Sequence, residues 1–279
     1  MASRGTRGRR DPVVASTPPA HAASGVPAAG EVEPLSFKLP RKTAAQRARA
    51  DELLAALKER YPDAHCELDW TTPHELLIAT ILSAQCTDVS VNRATPALFK
   101  AFPTPADFMR STPEEIEPHI RSIGLFRSKA KAIHATCTML VERFGGEVPR
   151  TMEELLLLRG VARKTANVVL GNCFGVNVGV VVDTHVARLS GRLGLSRGST
   201  VAAIERDLMA LFPREEWCLL SHLLIFHGRR ACKARGGSCA TDPICLRHCS
   251  EARRAGPLWT RSRRGRSRGP SRCRAYSDA

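Results

Sequence analysis

Three groups of residues in this 279-residue chain have types and spacings that could do chemistry. Cys232, Cys239, Cys245 and Cys249 fall within eighteen residues at the spacing Cys-x6-Cys-x5-Cys-x3-Cys. Four thiolates in so short a stretch suit zinc or an iron-sulfur cluster, with a disulfide pair as the structural alternative. Lys164 follows Arg159-Gly160-Val161-Ala162-Arg163 and sits in the first turn of a helical pattern. There the helix dipole and the two arginines disfavour its protonated form, the setting a nucleophilic or Schiff-base lysine needs. A solvated lysine or a plain phosphate contact would use the same position. Asp183 carries the apolar run Val178 to Val182 into Thr184-His185. It reads first as a helix N-cap, and a cap beside a cleft can still hold or accept a proton. His185 reads as a packed, hydrogen-bonded histidine.

Helices must position these groups, because start signals recur along the chain. Thr72-Pro73-His74-Glu75, Thr112-Pro113-Glu114-Glu115 and Thr151-Met152-Glu153-Glu154 each place Thr at an N-cap and Glu three residues on. Apolar spacing then predicts helices near 43–60, 73–84, 88–101, 105–110, 113–121, 127–144, 152–158, 163–173, 184–193, 200–211 and 215–227. Leu76 to Leu82 is apolar on all sides and predicts a central buried helix. The strand-like run at 178–182 is too isolated for a sheet, so the expected core is all-α. Within it, a helix ending at Leu158, a glycine-containing turn and a second helix from Arg163 form a hairpin. The unpaired N–H groups at the start of that second helix would cradle a phosphate.

Composition sets the context. The formal charge is +15, with 42 Lys and Arg against 27 Asp and Glu. Residues 1–50 carry nine basic and three acidic side chains, and residues 251–279 carry nine and two. The ends therefore hold most of the excess, and nucleic acid is the expected partner, with an anionic membrane surface second. Both ends are rich in Arg, Ala, Pro, Gly and Ser, so residues 1–40 and 251–279 are expected to be disordered tails. No apolar run approaches the roughly 18 residues of a bilayer span, and no signal peptide follows Met1 to Arg10. A soluble, cytoplasmic, nucleoid-associated protein without a membrane partner is expected, with an organellar or nuclear address for the Arg-rich start left open. Cys66, Cys86, Cys137, Cys173 and Cys218 read as single buried hydrophobes in helical patterns.

Five words in fixed order carry a resemblance. They are Leu82-Ser83-Ala84-Gln85-Cys86-Thr87-Asp88-Val89-Ser90-Val91-Asn92, Ile123-Gly124-Leu125-Phe126-Arg127-Ser128-Lys129-Ala130, Gly146-Glu147-Val148-Pro149, Arg163-Lys164-Thr165-Ala166-Asn167-Val168-Val169-Leu170 and Val182-Asp183-Thr184-His185. From about Arg41 to Cys249 the chain resembles endonuclease III, the helix-hairpin-helix base-excision DNA glycosylase and abasic-site lyase family. The resemblance implies an all-α, two-lobed fold with a C-terminal iron-sulfur loop. A six-helix barrel would span 60–175, and a second lobe would join 41–59 to 176–250. It implies a monomer acting on damaged double-stranded DNA and removing oxidised pyrimidines. Lys164 would be the nucleophile and Asp183 its catalytic partner. Gln85 and Leu125 would fill and wedge the base stack, and Asp88 would line the pocket. Arg159, Gly160, Val161, Ala162, Arg163 and Thr165 would form the hairpin contacts to DNA. Cys232, Cys239, Cys245 and Cys249 would hold a [4Fe-4S] cluster, with zinc the alternative.

Two local departures stand out. The family hairpin reads Leu-Pro-Gly-Val-Gly, whereas this chain has Leu158-Arg159-Gly160-Val161-Ala162. If the second glycine is left-handed, Ala162 costs on the order of 1 kcal/mol there, and Arg159 would offset part of that by a phosphate contact. The family cysteine spacing is Cys-x6-Cys-x2-Cys-x5-Cys, which puts Asp242 and His248 at the third and fourth positions. Cys245 and Cys249 would then replace them, or a His or Asp ligand would. Two rival functions follow: an adenine-mismatch glycosylase, whose branch lacks the hairpin lysine, and a divergent paralogue that binds DNA with weak or no catalysis.

Overall fold

The computed structural model describes residues 35, 37–235, 237–249 and 252. Contacts divide the chain after Gly30, and every described residue belongs to the second unit. Twelve α-helices are described, with no strand among the described residues: α1 Ala44–Arg60, α2 Pro73–Leu82, α3 Asp88–Ala101, α4 Pro105–Arg110, α5 Pro113–Ile120, α6 Phe126–Phe144, α7 Met152–Leu155, α8 Arg163–Phe174, α9 Thr184–Arg192, α10 Val201–Leu211, α11 Trp217–Arg230 and α12 Pro243–His248.

Threonine starts most of them. Thr43, Thr72, Thr87, Thr104, Thr112, Thr151 and Thr200 each accept the N–H three residues on, satisfying one of the donors that a helix start leaves open. At α5, Glu115 returns the bond to Thr112 N–H and completes a capping box. Thr43 with Gln46 and Thr104 with Asp107 do the same without the Glu signature. Glu75 instead accepts from Thr71 N–H and hydroxyl, one residue before its expected target.

Two hydrophobic cores result. The first runs from Leu68 to Val178 and has α2 at its centre, where every residue from Leu76 to Leu82 is buried. The second gathers α1 with the helices from α9 onward. α8 packs on α2 from one side and on α11 from the other, so it joins the two. Leu35, Phe37 and Leu39 pack against the second core. Ala252, within the expected C-terminal tail, is buried in the same core, and residues 1–34, 36, 251 and 253–279 lie outside the described residues.

Three elements differ from expectation for physical reasons. The helix expected at 152–158 stops at Leu155 and continues as tight turns, Leu157 N–H to Glu154 C=O and Leu158 N–H to Leu155 C=O. The helix expected to end at residue 227 runs through Gly228 to Arg230. That glycine is a contact: a Cβ there would meet His185 Nδ1 at 2.9 Å, so it lets α11 approach α9 closely. Helix α12 is capped by Asp242, which accepts from Cys245 N–H at 2.9 Å, inside what reads as a metal loop.

Candidate active site

The hairpin is built from backbone. Gly160 has φ +82°, and a Cβ there would lie 3.2 Å from Ala132 Cβ and 3.6 Å from Ile81 Cγ2. Glycine is therefore needed both for its conformation and for the close approach to α6 and α2. Thr136 of α6 donates to the Arg159 carbonyl at 2.7 Å and ties the turn down. Ala162 is the N-cap of α8 with φ −101° and ψ 172°, ordinary extended backbone. The anticipated left-handed cost is absent. Having no side-chain cap, α8 leaves its first N–H groups available, in contrast to the threonine-capped helices.

The side chains around the turn divide. Arg159 and Lys164 are exposed. Arg163 turns inward: its Nε donates to both oxygens of buried Glu205 at 3.1 Å, and its Nη2 donates to the Val178 carbonyl at 3.2 Å. Its guanidinium also lies over the Phe37 ring at 5.6 Å. What Arg163 can offer a phosphate is its backbone N–H. Glu205 of α10, which also accepts from Asn167 at 3.2 Å, is missed by sequence reasoning because it looks like one more polar helix position.

Lys164 and Asp183 line one cleft of about 110 Å³. Lys164 comes from the first turn of α8, and Asp183 is the N-cap of α9, where Oδ1 accepts from Val186 N–H at 2.7 Å. One carboxylate oxygen is thus committed to the helix and the other can face the cleft. Asp88, the first residue of α3, stands in the same cleft and accepts from Arg229 Nη2 at 2.6 Å; Arg229 also pairs with Glu67. Arg229 belongs to a face of α11 with Cys218, His222 and Ile225, spaced four, three and four residues apart. That period was legible, but its half-polar content reads as a solvated face.

Burial sets the protonation of the competing groups. It pushes the Cys66 thiol up to about 11 and the Cys218 thiol to about 12, so both cleft cysteines are neutral, weak nucleophiles near pH 7. Burial also holds His222 at about 4; its Nε2 donates to Asn172 Oδ1 at 2.9 Å. His185 is lowered by burial too, against the opposing pull of Asp183. Of the five single cysteines, Cys137 is fully buried, whereas Cys66, Cys86, Cys173 and Cys218 are half-buried. Cys66 and Cys86 lie in loops rather than helices.

Gln85 and Leu125 stand apart from the cleft lining. Both are exposed, Leu125 at 63%, and they are the only non-glycine residues with positive φ among the described residues, +55° and +57°. Strained backbone of this kind persists where function or packing over-determines it.

At the other end, the thiols of Cys232, Cys239 and Cys245 interact directly, and hydrogen bonds from Cys239 and Cys245 hold Cys232 far below the usual thiol range. Cys249 is buried beside them in sequence, its N–H bonded to the Cys245 carbonyl at 2.8 Å. His227, unforeseen here, has Nε2 3.4 Å from Cys245 Sγ, and its Nδ1 lies 2.9 Å from the Tyr61 hydroxyl. The ligand atoms of His227, Cys232 and Cys245 all lie within 4.8 Å of one another. Asp242 is engaged as a helix cap. This donor set suits a metal cofactor bound mainly by thiolates. The surrounding cations are less free than their count suggests: Arg229 pairs with Asp88, Arg230 with Asp63, and Arg247 with Glu52. No described helix is long and apolar enough to cross a membrane.

Comparison with known proteins places the chain in one family. Residues 78–214 match the HhH-GPD superfamily of base excision DNA repair proteins. The chain is 53% identical to the endonuclease III of Synechocystis sp. over 210 residues, 74% of this chain and 96% of that protein. It is 43% identical to the endonuclease III of Escherichia coli over 202 residues, 71% of this chain and 95% of that one. A solved structure of a trapped endonuclease III–DNA covalent intermediate superposes with a TM-score of 0.70 at 46% identity, covering 75% of this chain and 97% of that one.

Proposed function

The chain belongs to the endonuclease III family of base-excision-repair DNA glycosylases and abasic-site lyases, and we propose that it removes oxidised pyrimidines from double-stranded DNA and then cuts the strand, acting as a monomer. Lys164 is the nucleophile and Asp183 its partner. The observation that carries this is their presence in one cleft, from the first turn of α8 and the N-cap of α9, beside cysteines that burial keeps neutral.

The target nucleotide leaves the stack, because its glycosidic bond is out of reach in the duplex. Gln85 and Leu125 occupy the space it vacates, an apolar plug being the expected device for holding a base out. Unprotonated Lys164 Nζ attacks C1′, the C1′–N bond breaks, and the departing base takes the electron pair and a proton. Asp183 supports this step by stabilising positive charge developing on the sugar, and its free oxygen can take the lysine proton. The furanose ring then opens, the C1′–O4′ bond breaking and O4′ taking the proton that the lysine lost, which leaves a Schiff base. This acidifies C2′, and loss of that proton expels the 3′ phosphate by β-elimination. The hairpin amides, with Arg159, Gly160, Val161, Ala162 and Thr165, hold a neighbouring phosphate, while Arg163 contributes its N–H and braces α8 through Glu205. Asp88, fixed by Arg229, shapes the base pocket.

We assign the two cores to two lobes, 60–175 and 41–59 with 176–250, with the cleft between. Cys232, Cys239, Cys245 and Cys249 are assigned to a [4Fe-4S] cluster, which when bound cross-links the end of α11 to α12 and has no part in bond breaking. The paralogue without catalysis loses its main support, since Ala162 does not strain the hairpin. A duplex bearing one thymine glycol tests the reading: base release followed by strand cleavage is expected, and an uncut duplex at excess protein would refute it.

A further inference from the structure

Gln85 and Leu125 share left-handed backbone but belong to different elements, Gln85 to the turn after α2 and Leu125 to the N-cap of α6. Local devices do little to hold them. Leu125 makes no side-chain cap bond, and the Gln85 turn is closed by Cys86 N–H to the Ser83 carbonyl at 3.0 Å. One residue reaches both. Lys129, one turn into α6, donates its backbone N–H to the Leu125 carbonyl at 3.0 Å. Its Nζ donates to the Leu82 carbonyl at 2.8 Å and the Ala84 carbonyl at 2.6 Å.

The chemistry of that contact is specific. Carbonyls at the end of a helix lack intrahelical donors and carry the negative end of the dipole, so an ammonium is the fitting partner for Leu82 and for the turn that follows. The ammonium is also costly to place there. Lys129 is 6% exposed, lysines are rarely buried, and burial disfavours its charge. A lysine serving only solubility would lie outside.

We infer that Lys129 is a positioning residue that holds Gln85 and Leu125 as one preformed, two-pronged wedge, so that neither turn rearranges when the base stack opens. This rests on the reading of Gln85 and Leu125 as the residues that enter the stack. Preorganisation of this kind removes an ordering cost that a mobile wedge would incur at each encounter. Lys129 lies outside the cleft lining that Lys164 and Asp183 share, so it acts through the wedge and takes no proton in the reaction.

Two substrates separate the possibilities. A duplex with one thymine glycol needs the wedge; a single-stranded oligonucleotide with one abasic site has neither a base to flip nor a duplex to open. Lys129→Met keeps most of the stem and removes the donors. It is expected to lower kcat on the duplex roughly tenfold or more while leaving strand cleavage of the single-stranded substrate unchanged. Lys129→Arg, which keeps charge and donors, should recover part of the loss. Leu125→Ala should also slow the duplex reaction, and adding Lys129→Met to it should cost little more. If Leu125→Ala leaves the duplex rate intact, the wedge reading fails and the inference with it. If Leu125→Ala slows the duplex but Lys129→Met does not, or if Lys129→Met slows both substrates equally, the role of Lys129 alone is refuted. Should Lys129→Met not fold, Lys129→Leu, which also lacks donors, carries the same comparison.

Discussion

The hairpin and the cysteine end are both candidate sites, yet they are held in opposite ways. At the hairpin the shape comes from backbone: one left-handed glycine, a carbonyl tied by Thr136, and an N-terminus left uncapped by Ala162. Side chains there can change, and Arg159 and Ala162 depart from the proline and glycine of the hairpin pattern that the resemblance implies. At the cysteine end the shape depends on where the thiols fall, and moving a thiol by three residues alters which donors meet. There His227 stands against Cys245, and Asp242 serves as a helix cap. A backbone-held site tolerates substitution; a ligand-held one must be rebuilt when its spacing shifts.

The largest break in that contrast is expected from Cys232→Ser. Removing a central thiolate should abolish bound metal and melt the second core, since structural metal binding contributes on the order of 10 kcal/mol to folding. Metal analysis and circular dichroism on the same sample would check it. Retained metal would show that Cys232 is not a ligand.

Acid should act next. His222 has a folded value of about 4, below its unfolded value near 6.5, so the unfolded chain binds the proton first as pH falls. Stability contributed by neutral His222 is complete above about pH 6.5 and is lost progressively toward pH 4, with a slope up to about 1.4 kcal/mol per pH unit. Chemical denaturation across that range should show the slope, and His222→Asn should flatten it.

Smaller effects belong to the hairpin. Glu205→Gln leaves Arg163 partly unpaired and should cost about 1–2 kcal/mol, discounted because Arg163 is partly exposed. Gly160→Ala places a methyl at positive φ against Ala132 and should cost a similar ~1–2 kcal/mol, seen as a fall in Tm. Ala162→Gly restores the family residue, and stability should change by less than about 0.5 kcal/mol with DNA affinity unchanged. A large gain in affinity on that substitution would show that the alanine does obstruct phosphate.

What was legible in the sequence follows the same division. Threonine caps and apolar periods located most helices, because those signals act over three or four residues. Lys164 and Asp183 could be singled out because each opens a helix after a distinctive turn. The end of α7 and the run of α11 past residue 227 are not legible locally, because a tight turn and a helix–helix contact are decided by neighbours far away in the chain. Arg229 and Glu205 have the same origin: their partners, Asp88 and Arg163, lie 141 and 42 residues distant. The ligand set at the cysteine end was least legible, since His227 lies on a helix whose period says only that it is buried.

The proposed mechanism joins Lys164 covalently to C1′. Incubating the protein with an abasic-site duplex, reducing with borohydride and mapping the cross-linked peptide by mass spectrometry tests it directly. The expected result is one adduct, on Lys164, absent from Lys164→Ala. An adduct on another residue, or one that survives Lys164→Ala, would contradict the account.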